Sequence, residues 1–140
     1  MAERLLVAVD GSPPAETALA FAADEWPGAT HLLLHVIDPI AGGYDVAAVG
    51  PTSEEWYERE RERAERLLDA ARESLDGPAE THVEVGRPAR TIVEAAGADA
   101  LDPDHVVVGS HGREGVSRVL LGSVAETVVR RSPVPVTVVR

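Results

Sequence analysis

Short apolar runs bounded by turn residues recur along the chain at 5–9, 32–37, 83–85, 106–108 and 134–139, and each reads as a buried strand. Between them, over 14–26, 53–75, 88–97 and 123–131, apolar positions fall three and four apart, the spacing of one helix face. The order is therefore βαβαβαβαβ. Strands that alternate with helices build an open parallel sheet covered on both faces. Within 53–75, the residues Tyr57, Ala64, Leu67, Leu68, Ala71 and Leu75 share a stripe, with Glu55/Arg59 and Glu62/Arg66 outside it at i, i+4 spacing. That charge run reads as a solvated face. The connection 38–52 holds Pro39, Gly42, Gly43, Gly50 and Pro51, and serves either as a lid over the C-terminal edge of the sheet or as a surface loop. No internal repeat or linker interrupts the pattern, so 1–140 is expected to form one domain.

Composition narrows the core. The chain has 140 residues, enough for one core, and is 44% hydrophobic but only 4% aromatic, so Val, Leu, Ala and Ile must fill the interior. Twenty-four acidic residues oppose 13 basic ones, every one of them Arg, for a formal charge of -11. Such a surface repels nucleic acid and anionic membranes. It also suits a salt-rich cytoplasm, where a Debye length of about 3 Å at 1 M screens self-repulsion; the expectation is a halophilic protein. The absence of cysteine excludes disulfides, thiolate catalysis and Cys-ligated zinc. The first apolar run is too short for a signal peptide or a membrane span, so a cytoplasmic location is expected.

In an open parallel sheet, ligands bind outside the carboxyl ends of the strands, where strand order reverses. Two strand ends carry informative residues: Asp10-Gly11-Ser12 after the first, and Gly109-Ser110-His111-Gly112 after the fourth. Strands one and four should be neighbours. Nine residues, 113–121, lead on to Gly122-Ser123-Val124 at the start of the last helix. Glycine lets main-chain amides approach phosphate oxygens, and a helix N-terminus directs its dipole and free N–H groups at an anion. Each such bond is worth about 1.5–3 kcal/mol. Ser123 also opens a capping box with Glu126, and Gly109, Gly112, Gly115 and Gly122 could each be a turn glycine. Asp10 could cap the first helix, and His111 could bond phosphate or fix its turn. His31 and His35 share a strand face, but no third metal ligand is near in sequence.

These segments resemble the ATP-binding branch of the universal stress protein family. The branch's pattern, Gly, two residues, Gly, nine residues, Gly and then Ser or Thr, is matched by Gly109, Gly112, Gly122 and Ser123. The likeness extends to VAVDGS at 7–12, LHVID at 34–38, VVVGSHGR at 106–113, LLGSVAE at 120–126 and PVTVV at 135–139. The resemblance implies a Rossmann-type fold like that of the adenine nucleotide alpha hydrolases, with strand order 3-2-1-4-5 and a homodimer through the last strand. Carried over by position, it places Asp10 on the ribose or adenine and Val9 and Val36 against the base. Gly109 and Gly112 would line the ribose and α-phosphate side, and Val108 counts among the nucleotide-binding residues. Gly122, Ser123 and Val124 would bind the β- and γ-phosphates, with Arg113 adding positive charge. The implied ligand is ATP, with AMP or ADP as alternatives, and Mg2+ or Mn2+ would be held through the phosphates, Asp10 being the one carboxylate in reach. The apolar last strand, PVPVTVV, independently invites pairing with its own copy, although Pro133 and Pro135 restrict the ladder near its start.

Competing chemistries lack their residues. Without lysine the chain cannot supply a response-regulator receiver or a Walker A loop, and no GxGxxG follows the first strand. No SGG-type pyrophosphatase loop stands at 10–12. Ser110 and His111, adjacent on a tight loop, point apart and have no orienting acid. The reading is a nucleotide-dependent stress-response or regulatory module; a weak ATPase and a dimeric scaffold that binds no nucleotide are the alternatives.

Overall fold

A computed structural model describes residues 3–40, 54–110 and 121–140 of the chain. The elements run β1 (Arg4–Ala8), α1 (Pro13–Glu25), β2 (Thr30–Ile37), α2 (Glu54–Glu73), β3 (Ala79–Val85), α3 (Pro88–Ala96), β4 (His105–Gly109), α4 (Ser123–Arg131) and β5 (Val136–Val139). The five strands form one sheet in the order β3-β2-β1-β4-β5, with every neighbour parallel. β1 and β4 therefore lie side by side, as the two informative strand ends required, with Leu5 opposite His105 and Val7 opposite Val107. The expected lid, 38–52, falls almost entirely outside the described residues.

Period-2 alternation sends the side chains of each central strand to two cores. Leu5, Val7, Leu33 and Val107 pack with Ala18, Leu19 and Ala22 of α1 and Leu68 of α2. Leu6, Leu32, Leu34, Val106 and Val108 pack with Ile92 and Ala95 of α3 and Ala125 and Val128 of α4. The largest fully buried side chains are all Leu, Ile or Val, the aliphatic core that the scarcity of aromatics requires. α2 buries Ala64 and Leu68 and leaves its charges in solvent, where Arg61 pairs with Glu65 at 3.6 Å and Arg63 with Glu60 at 4.0 Å, not the two pairs expected from spacing alone.

Two closures position the strand ends. α1 begins at Ser12, whose hydroxyl accepts the Ala15 N–H at 3.3 Å, and Pro13 and Pro14 supply the φ of a first helical turn. At the other strand end, Gly122 N–H donates to Ser110 O at 2.6 Å, while Ser110 N–H donates to Val139 O at 2.9 Å. The start of α4 is thus tied to the end of β4.

Candidate functional site

Asp10 leaves β1 just beyond the sheet, and Gly11 follows with φ +80, a conformation that favours glycine. That turn brings Ser12 back onto Asp10: the Ser12 N–H donates to Asp10 Oδ1 at 2.9 Å and the Ser12 hydroxyl to the same oxygen at 2.5 Å. Asp10 is therefore not the helix cap; Ser12 is. Sequence reasoning passes over Ser12 as a functional residue, although a serine followed by two prolines is a helix-start signal.

Gly109 has a steric reason for being glycine. A Cβ there would stand 2.8 Å from Pro14 O and 2.9 Å from Pro14 C, so the missing side chain admits the first turn of α1 against β4. Gly122 is the N-cap of α4, with φ -66 and ψ 159, and being glycine it offers no side chain to cap that helix. Ser123 is accordingly the first helical residue, and the expected Ser123 capping box does not form. The Gly122 N–H is occupied by Ser110 O, so Gly122 contributes close approach and no donor to a phosphate. Glu126 N–H, bonded to Gly122 O at 2.9 Å, is the first rung of the helix, and the amides of Ser123, Val124 and Ala125 precede the ladder. They lie at the dipole's positive end, where Ser123 is exposed.

The valines are divided between the two cores. Val9 is buried on the α1/α2 side, whereas Val36, Val108 and Val124 pack on the α3/α4 side. Val9 and Val36 thus present side chains to opposite faces of the sheet, and a base touching both would do so at the strand ends, through the main chain. Val108 is a core residue, 3% exposed. Gly112, Arg113, Gly115 and His111 lie outside the described residues. The structure brings together Asp10, Gly109, Ser110, Gly122 and Ser123.

A separate groove of about 330 Å³ runs between α1 and α2, lined by Val9, Gly11, Leu19, Leu67, Ala71 and Leu75 among others. It shares Val9 with the expected site and takes nothing from 108–124. The two strand histidines do not converge on a metal. His31 is 3% exposed with neither ring nitrogen hydrogen-bonded, and burial lowers its pKa although the Ala22 and Ala29 carbonyls favour the protonated ring. His35 Nδ1 instead contacts Val9 O at 2.7 Å. Among the described residues no group of three His, Asp or Glu side chains could hold a metal ion, and no helix is long and apolar enough to cross a membrane.

Residues 1–140 match the model of the universal stress protein family. A universal stress protein of Thermus aquaticus is 34% identical over 143 residues, covering all of both chains. One of Mycolicibacterium smegmatis is 39% identical over 97% of this chain, and the chain spans 45% of that relative, about half its length. Among solved structures, the universal stress protein of Archaeoglobus fulgidus in complex with dAMP is 28% identical with a TM-score of 0.65, covering 100% of this chain and 98% of that one. A universal stress protein in complex with cAMP is 26% identical with a TM-score of 0.62, covering 99% of this chain and 96% of that one.

Proposed function

The chain belongs to the universal stress protein family, and on that premise we propose that residues 1–140 form a cytoplasmic ATP-binding domain whose nucleotide occupancy is a stress-response or regulatory signal. The observation that carries the reading is the bond from Gly122 N–H to Ser110 O at 2.6 Å. It holds the first turn of α4 against the end of β4, beside the β1 end that carries Asp10. Relatives with dAMP and cAMP bound support an adenine nucleotide as the ligand.

In this reading Asp10 takes the ribose or adenine, with the main chain at Val9 and Val36 against the base. Gly109 and Gly112 border the ribose and α-phosphate. The amides of Ser123 and Val124 and the Ser123 hydroxyl receive the outer phosphates, with Arg113 as the nearby cation. Amide donors at a helix N-terminus suit phosphate oxygens because their charge is fixed before the ligand arrives. Mg2+ or Mn2+ would be held chiefly by the phosphates, since Asp10 is the only carboxylate at the described part of the site. The reading is of a domain that binds and signals. Two copies pair through β5.

The test is calorimetry with ATP, alongside mass spectrometry of ligand carried through purification. Gly122 has φ -66, a conformation any residue adopts, so Gly122→Val strains no backbone torsion and places a branched side chain in the phosphate position, with far-UV circular dichroism checking that the fold is kept. Wild type is expected to bind and co-purify with an adenine nucleotide, and the variant to lose at least about 100-fold in affinity, the lower end of the worth of two charge-assisted bonds. Equal binding by both proteins, or no heat with wild type, overturns the reading.

A further inference from the structure

Resting on that reading, we propose that Ser12 is a positioning residue, which fixes the Asp10 carboxylate so that one oxygen meets the N–H or O–H donors of the adenosine moiety. A serine hydroxyl has one hydrogen to give and lone pairs to receive. Ser12 receives the Ala15 N–H at 3.3 Å and gives its hydrogen to Asp10 Oδ1 at 2.5 Å, and its own N–H goes to the same oxygen at 2.9 Å. Oδ1 is thus held by two donors from one residue, which fixes both torsions of the Asp10 side chain. Oδ2 makes no hydrogen bond among the described residues and is left for a ligand.

The support beneath Ser12 is rigid. Ser12 is 3% exposed, while Asp10 is only half-buried. Gly11, at φ +80, supplies the reversal, and Gly109 lets Pro14 seat the first turn of α1 against β4. The start of α1 therefore reaches Asp10 through Ser12, by its N–H and its hydroxyl. A carboxylate free to rotate would have to be ordered at the moment of binding, and prior ordering removes that cost.

Helix capping by Ser12 is a separate role, and a double-mutant cycle separates the two. Affinity for ATP is measured in wild type, Ser12→Ala, Asp10→Ala and the double variant, each below its melting temperature, with Ser12→Thr as the hydroxyl-retaining control. The expected result is about a tenfold loss in Ser12→Ala, the scale of one bond to a charged group, with recovery in Ser12→Thr and no further loss when Ser12→Ala is added to the Asp10→Ala background. A crystal structure of Ser12→Ala should show the Asp10 carboxylate turned from its wild-type rotamer. Equal losses in both backgrounds, or an unchanged Asp10 rotamer, overturn the positioning role and leave nucleotide binding intact. Failure of wild type to bind ATP overturns both.

Discussion

The close approach of α1 to β4 depends on one absent methyl group. The nearest atoms to a Cβ built on Gly109 belong to the Pro14 carbonyl, and main chain cannot rotate aside as a side-chain tip can. Gly109→Ala is therefore expected to push the first turn of α1 off the sheet and to destabilise by about 1–3 kcal/mol, the usual cost of overpacking. Gly28, whose added Cβ would meet nothing within 4 Å, is the control. Thermal melts should show Gly109→Ala lowered by several degrees and Gly28→Ala almost unchanged; matching melts would remove the steric account of Gly109. This residue shows where sequence reasoning stops. That Gly109 has to be glycine is legible from its place after a strand, but the atom it makes room for comes from residue 14, and only tertiary structure brings that atom near. The same limit applies to Ser123, which reads as an N-cap from its spacing to Glu126 but begins the helix one residue past the cap.

Among the elements, periodicity locates all five strands, and the errors lie where burial is incomplete. The apolar pattern places β3 only at 83–85, but the strand runs Ala79–Val85, because an edge strand alternates with exposed Glu80 and Glu84 and its apolar signal thins. β5 begins at Val136 and not at 134, the delay that Pro133 and Pro135 impose; Pro135 O still accepts Val106 N–H at 2.9 Å. In a parallel ladder a residue's N–H and C=O point to the same side. Pro135 and Val139 turn toward β4 through their carbonyls, so Val136 and Val138 direct their main-chain groups to the open edge. If two copies join through that edge, Val138→Pro removes an inter-copy donor without breaking the β4 ladder. Sedimentation equilibrium should fall from twice the chain mass of 14.8 kDa to once that mass while the far-UV spectrum is kept. An unchanged mass would place the dimer contact elsewhere, and a wild-type monomer would remove it.

For the whole molecule, the charge excess and the surface ion pairs make opposite claims about salt. Exposed pairs such as Glu126 with Arg130, at 3.2 Å, and Arg90 with Glu94, at 3.5 Å, lose strength as salt rises, but each is worth about 1 kcal/mol or less. Against them stands a formal charge of -11, spread over a domain small enough for acidic groups to repel across it when the Debye length is near 10 Å. Raising KCl to 1 M shortens that length to about 3 Å and removes most of the repulsion, while also weakening the pairs. Because 24 acidic groups face only 13 arginines, unpaired acids outnumber what the pairs can offset, and the repulsive effect should win. The melting temperature is expected to climb by several degrees between dilute buffer and 1 M KCl, and most of the climb should come by about 0.5 M, where screening is already short-ranged. An uncharged osmolyte at equal osmolality should reproduce little of it. A flat or falling response to KCl would mean that the acidic surface is compensated locally by arginine, and that its composition carries no adaptation to salt.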